Sequence, residues 1–228
     1  MKNTVTDVFF DLDHTLWDFE RNSALTFKTI FQEQNVNTSL EKFLEVYVPL
    51  NFKYWKLYRE EKISKSQLRY SRLRDSFDAL NHKVKDDLIH TLSQRYVEVL
   101  PEQNYLFQNT LQLLNYLNDR YRLHIITNGF EEIQEKKLKN AAIRSFFNHV
   151  INSEMVGVKK PNPLIFEFAL NRANTSAPKS VMIGDSLEAD ILGAKNVGMQ
   201  TIHFNSTNDP VHEHGIIVND LIEIKNYL

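Results

Sequence analysis

The sequence predicts an α/β protein in which a Rossmann-like parallel sheet is interrupted by an all-helical lobe. Short apolar runs of strand length recur along the chain, and helical stretches separate the later runs. The long segment after the first run contains no convincing strand. All six glycines lie after residue 128, so the first half lacks the residue that turns most often require.

The predicted strands are short runs rich in β-branched and aromatic residues. The first covers residues 5–10 and stops at Asp11, and the second, LHIIT, covers 123–127. Because the later strands alternate with helices through short connections, we expect a parallel sheet covered on both faces. The remaining predicted strands are 149–151, 181–183 and 201–204, and the predicted helices between them are 131–141, 163–172 and 187–196.

The predicted helical lobe covers residues 17–104, so the sheet domain consists of 1–16 and 105–228. Leu, Glu, Lys, Arg and aromatic residues recur in the lobe at helical spacing. Pro101 marks the return to the sheet domain. One expected buried helix face consists of Phe43, Tyr47, Leu50, Tyr54 and Leu57.

Composition excludes several classes of function. The chain has 228 residues, 27 Lys and Arg against 29 Asp and Glu, and a formal net charge of −2, so no basic field favours polymeric nucleic acid. The absence of cysteine excludes thiol nucleophiles and thiolate metal sites. No apolar run approaches the roughly 18 residues of a membrane span, and the start of the chain does not resemble a signal peptide. We therefore expect a cytoplasmic protein without a membrane partner.

Two acidic motifs directly follow predicted strands. Asp11 and Asp13 form a D-x-D-x-T motif after the first strand, and Asp185 and Asp190 follow the strand at 181–183. Ligands of open parallel sheets bind beyond the carboxyl ends of the strands, so these carboxylates are expected in one site. Mg²⁺ favours one or two carboxylates together with water and phosphate oxygens. The alternatives are a strand-ending Asx turn for the first motif and helix-dipole compensation for Asp190.

Two further motifs provide candidates for phosphate binding. Thr127, Asn128 and Gly129 end the LHIIT strand, where a hydroxyl group and turn amides can surround an anion. Lys160 precedes Pro161 and the helix at 163–172, so it can present a fixed positive charge to phosphate. Each motif alone also fits an ordinary turn or a solvated lysine, but all four lie at the ends of predicted strands.

In this order the motifs resemble those of the haloacid dehalogenase-like (HAD) hydrolases, and the resemblance covers essentially the whole chain. The helical lobe resembles the bundle-type cap of these enzymes. The stretches IITNGF, GVKKPNPLIFEFAL and GDSLEADILGAKNVGM resemble the branch of bacterial pyrimidine 5′-nucleotidases. His14 departs from the glycine of many relatives. The matching residues are Asp11, Asp13, Thr15, Thr127, Lys160, Asp185 and Asp190.

The resemblance implies a Mg²⁺-dependent phosphatase. Asp11 is the expected nucleophile, and Asp13 is the expected general acid and base. Mg²⁺ is expected on the Asp11 and Asp185 carboxylates and the Asp13 backbone carbonyl. The expected phosphate-binding groups are Thr127, the Asn128 and Gly129 amides and Lys160, with Asp190 positioning Lys160 or a metal-bound water.

The expected substrate is a small phosphorylated metabolite, most simply a nucleoside 5′-monophosphate. Trp17, Phe52 and Trp55 are candidates for stacking on the base. A sugar phosphate or phosphoglycolate is the alternative substrate with the same chemistry. A non-enzymatic phospho-aspartate switch is a third hypothesis, which Asp13 and the large helical lobe disfavour.

Overall fold

A computed structural model describes residues 1, 4–207 and 209–228. The chain forms two compact units, one consisting of Met1–Phe19 and Asn104–Leu228 and the other of Glu20–Gln103. Trp17 belongs to the first unit, whereas the sequence assigned it to the helical lobe. Among the described residues, no helix has the length and apolar character needed to cross a membrane.

The second unit is a helical bundle with an aromatic core. Phe27 packs with ring centroids 4.6–4.8 Å from those of Phe43, Tyr47 and Tyr96, and such aromatic contacts add to the stabilisation from buried area. The Ser39 and Ser64 side chains accept hydrogen bonds from the first turns of the helices that follow them. The bundle helices are α1 (Phe19–Glu33), α2 (Leu40–Arg59), α3 (Lys65–Ala79) and α4 (Asp86–Val99).

The predicted buried face of α2 is correct only in its first two residues. Phe43 and Tyr47 are buried, but the face continues through Asn51 and Tyr58. Leu50, Tyr54 and Leu57 are only half-buried. The physical reason is that the Asn51 side chain has a buried partner: its Oδ1 accepts a hydrogen bond of 2.9 Å from Arg72. A satisfied amide can occupy a core position that sequence patterning reserves for an apolar residue.

The first unit contains a six-stranded, all-parallel sheet. The strand order is β3-β2-β1-β4-β5-β6, so the predicted Rossmann-like α/β fold is confirmed. Strand β6 is absent from the prediction because three residues carry too little pattern to detect. The strands are β1 (Asp7–Phe10), β2 (Arg122–Thr127), β3 (Phe147–Asn152), β4 (Ser180–Gly184), β5 (Gln200–Phe204) and β6 (Ile216–Val218).

Helices connect the parallel strands and cover an apolar core. Phe9 and Met182 of the sheet and Phe166 of helix α8 (Pro163–Arg172) belong to one buried cluster. Strand β1 lies between β2 and β4, so the carboxyl ends of these three strands meet at one edge, where ligands bind in such sheets. The helices are α5 (Thr110–Asn118), α6 (Glu131–Asn140), α7 (Ser153–Val156), α8 (Pro163–Arg172) and α9 (Gly193–Asn196), with a π-helical turn (Leu187–Leu192) before α9.

Candidate active site

Asp11 and Lys160 form an ion pair at the carboxyl end of β1. The Asp11 amide donates to the Ile183 carbonyl at 2.9 Å, which extends the β1–β4 ladder by one residue and fixes the position of Asp11. Lys160 Nζ donates to Asp11 Oδ1 at 2.6 Å and to the Ile126 carbonyl at 2.7 Å. Asp11 is 7% exposed and Lys160 is 2% exposed. Burial makes this pair sensitive to every nearby charge, because solvent screens it weakly.

Three carboxylates surround Lys160. Oxygens of Asp11, Asp185 and Asp190 lie within 4.8 Å of one another, and Lys160 Nζ also contacts Asp190 Oδ1 at 2.6 Å. Burial raises the pKa of the Asp11 carboxyl well above its ordinary value, with neighbouring carboxylates adding to the effect of burial and Lys160 opposing it. Burial and the Asp190 charge raise the pKa of Asp185 to about 8. One ammonium group therefore faces three carboxyl groups, whose full ionisation gives the cluster excess negative charge.

The positions of Asp185 and Asp190 follow from the turn after β4. Thr15 Oγ1 donates to Asp185 Oδ1 at 3.1 Å, and the Ser186 amide donates to Asp190 Oδ2 at 3.0 Å. The Asp190 carboxylate packs directly on Gly184, where an added Cβ would lie 2.3 Å from Oδ2. A side chain at residue 184 would therefore displace Asp190 from Lys160.

The donor set fits a hard divalent cation. Carboxylate oxygens are the ligands that Mg²⁺ prefers, and a 2+ ion offsets the excess charge of three carboxylates against one lysine. Asp190 is already engaged by Lys160 and the Ser186 amide. Asp11 and Asp185 are therefore the carboxylates best suited to bind the ion.

The Asn128 side chain connects the turn after β2 to the loop that carries Lys160. Its Nδ2 donates to the Lys160 carbonyl at 3.0 Å, and its Oδ1 accepts from the Lys160 amide at 2.8 Å. The sequence assigned Asn128 a role through its backbone amide. The structure adds a side-chain role, because these two hydrogen bonds fix the backbone from which Lys160 extends.

Thr127 has a hydroxyl group whose accepting capacity is already used. Its Oγ1 accepts hydrogen bonds from the Gly129 amide at 3.0 Å and from Gln134 Nε2 at 2.7 Å. A hydroxyl group has two acceptor positions and one proton, so the Thr127 proton is the group left to donate to a ligand oxygen. The Gly129 N–H donates to Thr127 in this structure, and its expected contact with an anion stays a prediction.

The environment of Asp13 contains two residues that sequence reasoning missed. Lys137 Nζ donates to Asp13 Oδ1 at 2.5 Å, and Gln134 Nε2 donates to Asp13 Oδ2 at 2.9 Å. Both residues lie on α6, in the segment EEIQEKKLKN. Their spacing was the available signal, because it places them on one face of α6 with the buried residues Ile133 and Leu138. The many charged residues of the helix made this face look solvent-exposed in the sequence.

The three predicted substrate residues have different environments. Trp17 is fully buried, with Lys137 Nζ 4.1 Å from its ring centroid. The ring of Trp17 is covered and packs against α6 in this structure, and its expected substrate contact stays a prediction. Phe52 is 45% exposed, and Trp55 is half-buried with its ring edge-on to Tyr58. Both lie on α2 of the helical unit.

His14 occupies the turn after β1 in a left-handed conformation, with φ at 63°. A residue with a Cβ pays a steric cost in this region that glycine does not. The His14 ring packs 4.9 Å from that of Phe19, which gives the side chain a stabilising contact. The glycine expected at this position in many relatives is consistent with the positive φ.

Comparison with known proteins establishes the family. The sequence profile of the haloacid dehalogenase-like hydrolases matches residues 8–204, which include every candidate residue described above. The chain belongs to this family. Its α/β sheet unit is therefore that of a HAD hydrolase.

Two similar sequences and one similar structure illustrate the relatives of this HAD hydrolase. Pyrimidine 5′-nucleotidase PynA of Streptococcus pneumoniae is 36% identical over 203 residues, which cover 87% of this chain and 83% of PynA. A glyceraldehyde 3-phosphate phosphatase of Methanothermobacter thermautotrophicus is 34% identical over 235 residues, covering 97% and 98% of the two chains. The crystal structure of the HAD-hydrolase YfnB of Bacillus subtilis bound to magnesium has a TM-score of 0.88 and 26% identity, covering 99% of both chains.

Proposed function

We propose that this HAD hydrolase is a Mg²⁺-dependent phosphomonoesterase that acts through an aspartyl-phosphate on Asp11. The observation that carries the proposal is the buried cluster at the carboxyl end of β1, in which Asp11, Asp185 and Asp190 face one lysine. Such a charge excess favours binding of a cation, and the perturbed pKa values in it are typical of functional sites.

Asp11 is the proposed nucleophile. One of its carboxylate oxygens attacks phosphorus, and the bond between phosphorus and the ester oxygen breaks, which transfers the phosphoryl group to Asp11. Lys160 stabilises the negative charge on Asp11 and the phosphoryl oxygens from its position 2.6 Å from Oδ1. Thr127 donates its hydroxyl proton to a phosphoryl oxygen, since its acceptor positions are filled.

Asp13 is the proposed general acid and base. It gives a proton to the departing ester oxygen, which is a poor leaving group as an alkoxide. In the second step Asp13 takes a proton from water as the water oxygen attacks phosphorus. The bond between phosphorus and Asp11 then breaks, and inorganic phosphate and the free carboxylate are regenerated.

The proposed metal ligands are the Asp11 and Asp185 carboxylates and the Asp13 carbonyl. Bound Mg²⁺ would withdraw negative charge from the phosphoryl oxygens and offset the carboxylate excess. Asp190 is proposed to position Lys160, which it contacts at 2.6 Å. The Gly184 packing and the Ser186 amide hold Asp190 for this role.

A nucleoside 5′-monophosphate with a pyrimidine base is the proposed substrate. The 36% identity to a pyrimidine 5′-nucleotidase over most of both chains supports it. Phe52 and Trp55 of the helical unit are the proposed stacking residues for the base, because neither is fully buried. A sugar phosphate or phosphoglycolate is the second candidate, supported by the 34% identity to a glyceraldehyde 3-phosphate phosphatase.

A substrate panel tests this proposal. Phosphate release is measured with Mg²⁺ for pyrimidine and purine nucleoside 5′-monophosphates, glyceraldehyde 3-phosphate and phosphoglycolate. We expect kcat/KM to be highest for a pyrimidine nucleotide, by about tenfold over the sugar phosphates. A tenfold higher kcat/KM for a sugar phosphate would show that a sugar phosphate, and not a nucleotide, is the substrate. Unchanged activity of Asp11→Asn would contradict the proposed chemistry itself.

A further inference from the structure

Gln134 and Lys137 form the buried polar face of α6. They are three residues apart, so they lie on the same side of the helix, and both are almost completely buried. Lys136 of the same helix is exposed, and Lys139 pairs with Glu135 at the surface. The sequence EKK therefore contains one lysine in solvent and one in the protein interior.

A lysine at 2% exposure requires compensation for the lost hydration of its ammonium group. Lys137 Nζ donates to Asp13 Oδ1 at 2.5 Å. Its charge also lies 4.1 Å from the Trp17 ring centroid and 5.4 Å from that of Phe19, and aromatic faces attract cations. The two rings and the helix confine the ammonium group, so the position of the Asp13 oxygen that it contacts is restricted as well.

Gln134 connects Asp13 to the phosphate-binding hydroxyl group. Its Nε2 donates one hydrogen to Asp13 Oδ2 at 2.9 Å and the other to Thr127 Oγ1 at 2.7 Å. An added Cβ on Gly129 would lie 2.3 Å from this nitrogen, so the glycine leaves room for the amide.

We infer that Gln134 and Lys137 are positioning residues that orient the Asp13 carboxylate for proton transfer to the leaving group. The inference rests on the proposed function. Each Asp13 oxygen has a fixed donor, so rotation of the carboxylate is restricted. Gln134 also donates to Thr127. One side chain therefore sets the distance between the Thr127 hydroxyl group, which binds a phosphoryl oxygen, and the Asp13 carboxyl group, which protonates the ester oxygen. General acid catalysis requires this alignment within hydrogen-bonding reach.

Two substrates with different leaving groups test the inference. Gln134→Leu should lower kcat/KM for both substrates to some extent, because Gln134 also holds the phosphate-binding Thr127. The selective test is therefore Lys137→Met, which removes a donor to Asp13 and leaves the contact between Gln134 and Thr127 in place. For this variant kcat/KM is measured for uridine 5′-monophosphate and p-nitrophenyl phosphate. We expect a loss of about 10- to 100-fold for the nucleotide, whose alkoxide needs a proton. We expect a loss within about threefold for the nitrophenyl ester, whose phenolate leaves without one. The parameter kcat/KM reports only steps up to the first irreversible one, so the later hydrolysis of the aspartyl-phosphate does not affect it.

Lys136→Met is the matched control, because it makes the same substitution at an exposed position of the same helix. It should retain kcat/KM for both substrates. A double-mutant cycle with Asp13→Asn adds a second readout: Lys137→Met should cause no further loss in the Asp13→Asn background, since it acts through Asp13. If Lys137→Met does not fold, as judged by its thermal unfolding, Gln134→Leu carries the test, and its loss should be larger for the nucleotide than for the nitrophenyl ester.

The outcomes separate the inference from the function on which it rests. A selective loss for the nucleotide together with non-additivity supports the positioning role. Equal losses for both substrates, or additive losses in the Asp13→Asn background, would mean that the two residues only stabilise the fold, and would overturn the inference. Failure of the wild-type protein to release phosphate from either substrate would instead overturn the proposed function.

Discussion

Two buried aspartates at opposite ends of β1 have contrasting surroundings. Asp7 begins the strand and Asp11 directly follows it. Both side chains are withdrawn from water, and both lie next to cationic or polar groups. They differ in whether the surrounding groups compensate the negative charge.

The charge of Asp7 is compensated. Its carboxylate accepts hydrogen bonds from Thr6 at 2.7 Å, Arg122 at 2.8 Å and His124 at 3.0 Å. Burial alone would raise the pKa of Asp7, but the hydrogen bonds outweigh burial and leave the pKa below its ordinary value. At this end of β1, Asp7 links the strand to β2 through Arg122 and His124. Its contacts are those of a structural residue.

The charge of Asp11 is not compensated, because Lys160 is shared with Asp190 and Asp185 lies nearby. Its pKa is raised well above the ordinary value, chiefly by burial. The contrast shows how a parallel strand can carry the same residue type at both ends for different purposes. A satisfied carboxylate contributes to stability, whereas one with excess negative charge is prepared for a cation and a phosphoryl group.

The largest expected effect is the loss of activity in Asp11→Asn. We expect kcat for phosphate release to fall by about 10⁴-fold or more, because the amide is a poor nucleophile. Stability should not fall, since the substitution removes an uncompensated buried charge. The measurements are steady-state kinetics and thermal unfolding. Retention of more than about a tenth of wild-type activity would show that Asp11 is not the nucleophile. The proposed difference in role between Asp7 and Asp11 would then be wrong.

Asp7→Asn should show the opposite pattern. We expect the free energy of unfolding to fall by about 1–3 kcal/mol, because buried donors lose a charged partner, while kcat of the folded protein changes little. A lowered pKa means that the contribution of Asp7 is present above its ordinary pKa of 3.8 and is lost as pH falls through that range. Urea unfolding at decreasing pH should therefore bring the variant and the wild type together. A constant difference would contradict this assignment.

Removal of metal ions should make stability depend on pH through Asp185, which follows β4 and lies beside Asp11. The pKa of Asp185 is raised from 3.8 to about 8, so its favourable contribution is present at low pH and is lost as pH rises through about 8. Mg²⁺ should therefore raise the melting temperature more at about pH 8 than at about pH 5. Calorimetry with a chelator and then with Mg²⁺ tests this, and Asp185→Asn is the control. An equal Mg²⁺ effect at both pH values would be inconsistent with the account.

The smallest expected effect belongs to Arg122→Met. The Arg122 side chain is 48% exposed, so solvent screens its pair with Asp7. We expect a loss of less than about 1 kcal/mol in the free energy of unfolding, below that of Asp7→Asn. Urea unfolding of both variants under the same conditions checks the order. A larger loss for Arg122→Met would mean that its hydrogen bond to the Ala173 carbonyl, and not the charge of Asp7, stabilises this end of the sheet.

The sequence predicted the parts of the site that lie at strand ends. Asp11, Lys160 and Asp185 could be found because each follows an apolar run or precedes a helix with a recognisable turn. Gln134 and Lys137 could not, since their role depends on which face of α6 is buried. A helix with six charged residues among ten obscures that face.

The burial of two residues was not predicted, for similar reasons. Trp17 was expected at the substrate because aromatic residues suit base stacking, but sequence alone does not show that Lys137 covers its ring. Asn51 of α2 was not expected in the core because its partner Arg72 lies on another helix. In both cases the burial of the residue depends on a partner that is distant in the sequence, and the local sequence pattern does not reveal that partner.

Rapid acid quench during turnover of uridine 5′-monophosphate, followed by peptide mass mapping, tests the central claim most directly. The account predicts a phosphoryl group on Asp11 during turnover, and none in Asp11→Asn. Steady phosphate release with the phosphoryl group on another residue, or with no phosphorylated protein at any time during turnover, would contradict it.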